Sequence, residues 1–334
     1  MNTTLYPLLF QPNMHETIWG GNNLCPYKGI EAHTNPVGES WEVSAVPSSP
    51  DIVNNGTYCG TSLISLINQN PDAILGKAVS KKYNATMPLL VKFIDAKRDL
   101  SIQVHPNDEM AERVHHKMGK TEMWYVISAQ PGSYLYCGFK TQITKEEYKQ
   151  RIANGTICEV LARHEVKPGD AFYIPAGRVH AICSGIMLAE IQQSSDITYR
   201  IYDYNRPGLD GKPRELHTEL AAEVLDYNVA DSYRVAYEHE DGKPNTIIDS
   251  EYFCVRETDL HSTLRYNMIA YDSFVVCMCV KGDCRVRIVS TGDEILLSQG
   301  HSCMIPAGIA DYEVTPLNGC SKIIDAFIDN KNNI

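Results

Sequence analysis

No stretch of this chain approaches the run of about 18 apolar residues that a membrane-spanning helix needs. The N-terminus, MNTTLYPLLFQPN, lacks the basic leader and the apolar run of a signal peptide. The 11 cysteines are odd in number, irregularly spaced and without a CxxC pair, which excludes an obvious disulfide framework. These absences point to a reducing cytoplasm with free, mostly buried thiols. The N-x-[ST] matches that start at Asn2, Asn55, Asn84 and Asn154 then carry no meaning for glycosylation. Positive charge is scarce: 30 Lys and Arg stand against 41 Asp and Glu, for a net charge of −11. A broad basic surface for nucleic acid is therefore excluded, and an anionic small-molecule substrate needs a local cluster of cations. Neither a GxGxxG fingerprint nor a GxxxxGK[ST] loop is present, which removes the usual nucleotide readings.

What is present is pattern. At 334 residues, 43% apolar and 21% charged, the chain is an ordinary globular sequence long enough for two domains. Residues 1–85 read as irregular, with turn signals such as GGNN, a short strand and loop in GESWEVSAVPSS and a helix over 60–76. They form a segment expected to pack on a first barrel. From Met87 the chain turns to short strands bounded by turn residues, PLLVKFIDA, DLSIQVHP, EMWYVISA and GSYLYCGF, as in a sandwich or barrel. A helical insert is predicted at 144–164 within a barrel spanning 86–212. A helical connector follows at 213–235, then a second barrel over 236–334. Cys277, Cys279 and Cys284, on strands flanking a KGD turn, read as small buried hydrophobes rather than a zinc or redox group.

Two segments repeat. Gly169-DAFYI-Pro175-AG recurs as Gly300-HSCMI-Pro306-AG, 131 residues on. Two copies of one β-unit imply two related barrels, and the expected fold is mainly β, with two jelly-roll barrels and short helical inserts. His180 in the first copy aligns with Asp311 in the second, so any chemistry at that position belongs to the first barrel alone.

The spacing G-x5-P-x-G-x2-H from Gly169 to His180 is that of the second cupin motif, where a tight turn aims the histidine into the barrel. A cupin pairs it with an earlier strand bearing ligands at i and i+2. In LSIQVHPND, Ser101, Gln103 and His105 share one strand face. Glu122 opens the next strand. Gln103, His105, Glu122 and His180 make a four-donor set suited to zinc, and also to iron, manganese or cobalt. His115 and His116 sit in a polar stretch and read as solvated. Lys92 lies inside an apolar strand, where an ammonium needs a partner or a function. It could form an ion pair, transfer a proton with a depressed pKa, or contact an anion. Lys120 is two residues before Glu122 and shares its face. Arg178 and Arg200 complete a cationic cluster, with Glu190 and Asp196 nearby.

These motifs together resemble the type I mannose-6-phosphate isomerases, in the short bacterial form that lacks a large helical domain. The resemblance rests on PLLVKFIDAKRDLSIQVHPND, the KTE before MWYVI, GDAFYIPAGRVHAI and the E-x9-R segment from Glu190 to Arg200. GESWEVS and the GGNNL start match as well, so that it covers roughly residues 5–325. It implies a zinc-dependent aldose–ketose isomerase, with one Zn2+ per chain, that interconverts mannose 6-phosphate and fructose 6-phosphate through an enediol. It places the metal on Gln103, His105, Glu122 and His180, and catalysis on Arg200, Lys92, Lys120, Glu190 and Asp196. Ser101, Lys120 and Arg178 are expected to touch the sugar phosphate. Some relatives carry a histidine just before the lysine matching Lys120; here that residue is Gly119, which puts a histidine proton shuttle in doubt. The implied partner is a small sugar phosphate, not nucleic acid or membrane, and the chain is a monomer or homodimer. Two other readings remain open. One is a different metal-dependent cupin enzyme, such as an iron dioxygenase or an enzyme acting on another phosphosugar. The other is a non-catalytic sugar-binding cupin. The glutamine donor and surrounding cations weigh against the dioxygenase, and the intact donor set against the binder.

Overall fold

The strand Leu89–Ala96 is buried at every position, although its neighbours in sequence alternate. A strand so enclosed must be covered on both faces. In the computed structural model, which describes residues 5–330, that is its place. It lies inside a six-stranded antiparallel sheet of order Asn13–Gly21, Val37–Val43, Leu89–Ala96, Ile186–Gln193, Glu122–Ala129 and Ala171–Ile174. One face meets a five-stranded sheet: Tyr199–Tyr202, Ile102–Val104, His180–Ile182, Tyr134–Phe139 and Leu161–Glu165. Ile94, Trp124 and Leu188 from the first sheet pack there against Leu135, Cys137 and Ile182 from the second. The other face carries Val91, Phe93 and Ala189 into a core shared with Met278, Ile324 and Ala326 of the C-terminal third.

That third contributes seven strands to an eight-stranded antiparallel sheet around its own core, the eighth being Leu8–Leu9 of the N-terminal segment. Val275–Ile288 and Asp311–Phe327 are its long central strands. Cys277, Cys279 and Cys284 are all fully buried in that core, as their apolar surroundings predict. All 11 cysteines are free. Among the described residues no helix is long and apolar enough to cross a membrane.

The repeat is structural. Ala171–Ile174 and Ser302–Ile305 are equivalent strands, the first at the edge of its sheet and the second covered by the short strand Leu8–Leu9, and each is entered through a glycine with positive φ, Gly169 at 90° and Gly300 at 76°. Their registers extend the match across four strands. In the first barrel Lys92, Glu190, Trp124 and Phe172 form one cross-strand row. In the second, Arg256, Asp325, Cys277 and Cys303 form the corresponding row. The second barrel thus keeps a buried cation–carboxylate pair, Arg256 to Asp325 at 3.5 Å. The counterpart of Glu122, which faces Ile174, is Val275, which faces Ile305.

Several local expectations shift. The segment at 144–164 is helical only over Lys145–Asn154, capped by the Thr144 hydroxyl and ended by Gly155 at φ 68°. A short 3-10 turn follows, and Leu161–Glu165 is a strand paired with Tyr134–Phe139. The helix expected over 60–76 breaks into Leu63–Gln69 and Pro71–Leu75, because Pro71 supplies no N–H to continue the first. The expected connector helix is confined to Thr218–Val224. Near the N-terminus the strand read in GESWEVS is found over Val37–Val43, and residues read as irregular provide a second strand of the same sheet, Asn13–Gly21. The N-x-[ST] match at Asn2 begins outside the described residues.

Lys28 ties the N-terminal segment to the second barrel. Its buried ammonium donates to Glu42 Oε1 at 2.6 Å and to the Gly300 carbonyl at 2.5 Å. Truncating one member of a buried pair strands the other charge. Lys28→Ala is expected to cost about 3–5 kcal/mol. In urea melts this appears as a lower midpoint with an unchanged slope. An unchanged midpoint would show that the pair holds nothing together.

Candidate metal centre and active site

The first barrel gathers its polar residues at one place because pairing of Ile102–Val104 with His180–Ile182 sets Gln103 opposite His180. His105 lies just beyond the first of these strands, and Glu122 opens the strand after it. His105 and His180 Nε2 are 3.1 Å apart. Glu122 Oε2 is 3.4 Å from His105 Nε2, and Oε1 is 3.3 Å from His180 Nε2. Gln103 Nε2 stands 3.3 Å from His180 Nε2, and a half-turn of the amide brings Oε1 to that place.

The outer nitrogens decide what this cluster is. His105 Nδ1 donates to the Ile197 carbonyl at 2.9 Å, and His180 Nδ1 to the Arg178 carbonyl at 2.8 Å. Each neutral ring then presents a lone pair at Nε2. Glu122 is completely buried, yet neither of its oxygens has a hydrogen-bond partner. Lone pairs turned toward one another in a dry interior are costly unless a cation lies among them. The residues fit a divalent metal, with two imidazole nitrogens and a carboxylate as donors and the Gln103 amide oxygen as a fourth.

Burial, reinforced by the Lys120 ammonium, lowers the His105 pKa from 6.5 to about 3. Burial likewise lowers that of His180. For Glu122 burial pushes upward, but Lys120 and the two imidazoles outweigh it and hold the carboxyl below its usual range. Lys120 Nζ is 3.4 Å from Glu122 Oε2, as their shared strand face predicts.

The centre opens into a cavity of about 180 Å³ whose lining includes Ser101, Lys92, Lys120, Glu190, Asp196 and Arg200. Lys92 Nζ lies 3.3 Å from Glu39 and 3.4 Å from Glu190. The depressed pKa considered for Lys92 is not found. Burial pulls it down, but Glu39, Glu190 and Glu122 together hold the ammonium above its ordinary value. Glu190 moves the other way: burial, with the Glu122 charge behind it, raises its carboxyl. Its Oε2 accepts from Trp124 Nε1 at 2.9 Å. The Ser101 hydroxyl lies 3.3 Å from the Gln103 amide and accepts from its Nε2 once the amide oxygen is turned to the centre. Arg200 donates to the Glu215 carbonyl at 2.9 Å and keeps a buried Nε without a partner. Asp196 sits at the rim, paired with Lys117 at 2.6 Å.

Arg178 is not brought to the cavity. It donates to the Tyr173 carbonyl at 2.9 Å and its guanidinium lies over Tyr233. Its backbone carbonyl orients His180, so position 178 serves the site through main chain alone. His116 is exposed as expected, whereas His115 is partly buried and bonds the Tyr199 hydroxyl at 2.8 Å.

Glu39, Trp41 and Arg214 also line the cavity and were not singled out from sequence. Trp41 Nε1 donates to Glu39 Oε2 at 2.7 Å, and Trp41 faces Lys92 in register. Alternation in GESWEVS places Glu39 and Trp41 on one face, which was the available signal; which cavity they face depends on sheet order. Arg214 is held by Asp203, which also pairs with Arg206. At Gly119 a Cβ would stand 2.6 Å from the backbone of both Asn107 and Asp108. No side chain fits there, a histidine least of all.

A mainly-β double barrel with a buried His–Glu–His–Gln centre beneath a cationic cavity defines a metal-dependent enzyme of the cupin type. Residues 8–125 match the family model "Phosphomannose isomerase type I, catalytic domain", and residues 243–324 match "Mannose-6-phosphate isomerase, cupin domain". The mannose-6-phosphate isomerase ManA of Bacillus subtilis is 35% identical over 95% of this chain and 98% of its own. The mannose-6-phosphate isomerase of Streptococcus mutans is 35% identical over 92% and 94%. The crystal structure of the Bacillus subtilis mannose 6-phosphate isomerase superposes with a TM-score of 0.86 at 32% identity, over 96% of this chain and 99% of that one. The chain belongs to the type I phosphomannose isomerase family.

His180→Ala removes one nitrogen donor and leaves a cavity beside Trp124. The expected result is loss of bound metal, read by elemental analysis, with the fold retained by circular dichroism; full metal content would dismiss the centre. Acid should act on the metal-free protein in a defined direction. The folded His105 titrates near 3 and the unfolded one near 6.5, so the unfolded chain binds the extra proton. Stability should fall as pH drops from about 6.5 toward 3. A His105→Asn variant should show a shallower fall in denaturant midpoints over that window.

Proposed function

We propose that this protein is a zinc-dependent aldose–ketose isomerase that interconverts mannose 6-phosphate and fructose 6-phosphate. The observation that carries the reading is one cavity that meets the buried four-donor centre at Gln103 and is lined by a buried carboxylate with a raised pKa and by four cations, Lys92, Lys120, Arg200 and Arg214. A divalent ion, when bound, stabilises negative charge developing on a substrate oxygen and so acidifies the adjacent carbon. Gln103, His105, Glu122 and His180 would hold it.

The proton must travel between C2 and C1 through an enediol. Lys92, held charged by three carboxylates, cannot accept it and instead steadies a substrate oxygen. Glu190 is the group suited to carry it, since burial and the Glu122 charge raise its carboxyl above its ordinary pKa and make it a better proton acceptor than a free carboxylate. Asp196, paired with Lys117 at the rim, is assigned to holding the cavity mouth. Arg200 lines the cavity and supplies a guanidinium charge to a substrate oxygen. Lys120 adds positive charge beside the centre, and Ser101 orients Gln103 and contacts the sugar. Arg214, fixed by Asp203, offers the phosphate a rigid guanidinium at the cavity wall. Residues 1–85, 86–212, 213–235 and 236–334 are proposed as the functional divisions. The N-terminal strand Val37–Val43 brings Glu39 and Trp41 to the catalytic barrel. Eleven free thiols favour a reducing cytoplasm.

The test is turnover of mannose 6-phosphate to fructose 6-phosphate before chelation, after it and after zinc return. Loss and recovery are expected; a zinc-loaded, folded protein without turnover would overturn the reading. Glu190→Gln and Arg200→Ala should each lower kcat by about 10²–10⁴ with metal retained. A native rate in either removes that residue from the chemistry.

A further inference from the structure

The Trp41 indole is a wall between two cavities. One is the catalytic cavity; the other, of about 120 Å³, lies where the N-terminal segment meets the second barrel. We propose that this second cavity is an accessory site for a small neutral polyol or unphosphorylated sugar.

Its chemistry is built rather than incidental. Ser302 is 5% exposed, and its Oγ is buried without a hydrogen-bond partner. On the strand Ser302–Ile305, Cys303 points into the second barrel's core, so Ser302 points the opposite way, into the cavity. Glu42 receives its two side-chain bonds, from Lys28 and Ser40, on Oε1. Its Oε2 is left to accept from a ligand. His301 bonds the Gln299 carbonyl through Nδ1 at 3.2 Å, and burial together with the Lys28 ammonium lowers its pKa. The neutral ring therefore offers Nε2 as a second acceptor. Phe10 and the Trp41 indole supply apolar walls.

Two acceptors and a hydroxyl beside aromatic faces match a molecule that carries several O–H donors on an apolar frame. An anion is disfavoured. The one ammonium at the site, Lys28, is spent on Glu42 and the Gly300 carbonyl, and the Glu42 carboxylate lies within the wall. A phosphorylated substrate belongs in the cationic cavity across the indole. The volume holds several waters, so a ligand of a few carbons is the right scale.

The test is saturation-transfer NMR on the metal-loaded protein with erythritol as the probe. Binding with a Kd in the range of about 1 mM or weaker is expected. It should persist when the catalytic cavity is saturated with fructose 6-phosphate. Ser302→Ala removes the unpartnered hydroxyl without adding bulk to the cavity and should weaken binding about tenfold. His301→Ala, on a half-buried turn, serves as a second variant with the same expectation should Ser302→Ala fail to fold. Absence of any signal up to about 100 mM erythritol overturns the proposal. So does binding that fructose 6-phosphate displaces, or that neither variant weakens. Failure of the isomerase assay would leave this binding result unaffected, so the two readings fail separately.

Discussion

Two imidazole nitrogens and a carboxylate face one another in a dry barrel without a hydrogen between them, and the first half of this molecule is arranged around that conflict. The carbonyls of Ile197 and Arg178 take the outer N–H groups of His105 and His180, and thereby fix both inner lone pairs. Glu122 has no donor at either oxygen. A positive charge must resolve this, and only a metal ion can approach all the donors at once. The neighbouring ammonium of Lys120 offsets part of the carboxylate's charge without completing the set.

A second electrostatic device runs beside the first. Lys92 sits among Glu39, Glu190 and Glu122, so one buried cation divides its field among three acids. Burial and the Glu122 charge raise the Glu190 pKa, while Glu39, closest to the ammonium and bonded by Trp41, falls. One cluster thus holds a lasting cation beside a carboxyl with a raised pKa. The same cross-strand row in the second barrel holds Arg256 and Asp325. There Val275 replaces the metal-binding glutamate, and the stacked rings of Tyr266 and Tyr312 fill the interior beside the pair. The duplicated row is therefore a property of the barrel, and catalytic use of it needs the metal centre as well.

The N-terminal segment joins these parts. Its strands complete the catalytic sheet, its Glu39 and Trp41 enter the cavity, and its Lys28 anchors to the second barrel. The second barrel consequently shapes the catalytic half through a core of Val91, Phe93, Met278 and Ile324 rather than through any shared ligand.

Much of the site was legible in residue order because strand alternation is local. Gln103 and His105 share a face by spacing alone, Lys120 and Glu122 likewise, and the turn between Gly169 and His180 carries its own geometry. The isolated lysine in PLLVKFIDA announced a buried cation, but its pKa direction depended on three acids from three other strands. Arg178 shows the opposite case. It was counted in the cationic cluster for an anionic substrate, whereas packing against Tyr233 turned its side chain away and left only its carbonyl at the centre. Glu39, Trp41 and Arg214 could not be placed from sequence, because sheet order brings strands distant in the chain to one cavity wall. Sequence by itself determined the donor types, their local spacing and the repeat, since these follow from alternation and turn chemistry. Tertiary structure decided which lone pairs converge, which carboxyl rises and which arginine faces the substrate cavity, since these depend on long-range pairing and on exclusion of water.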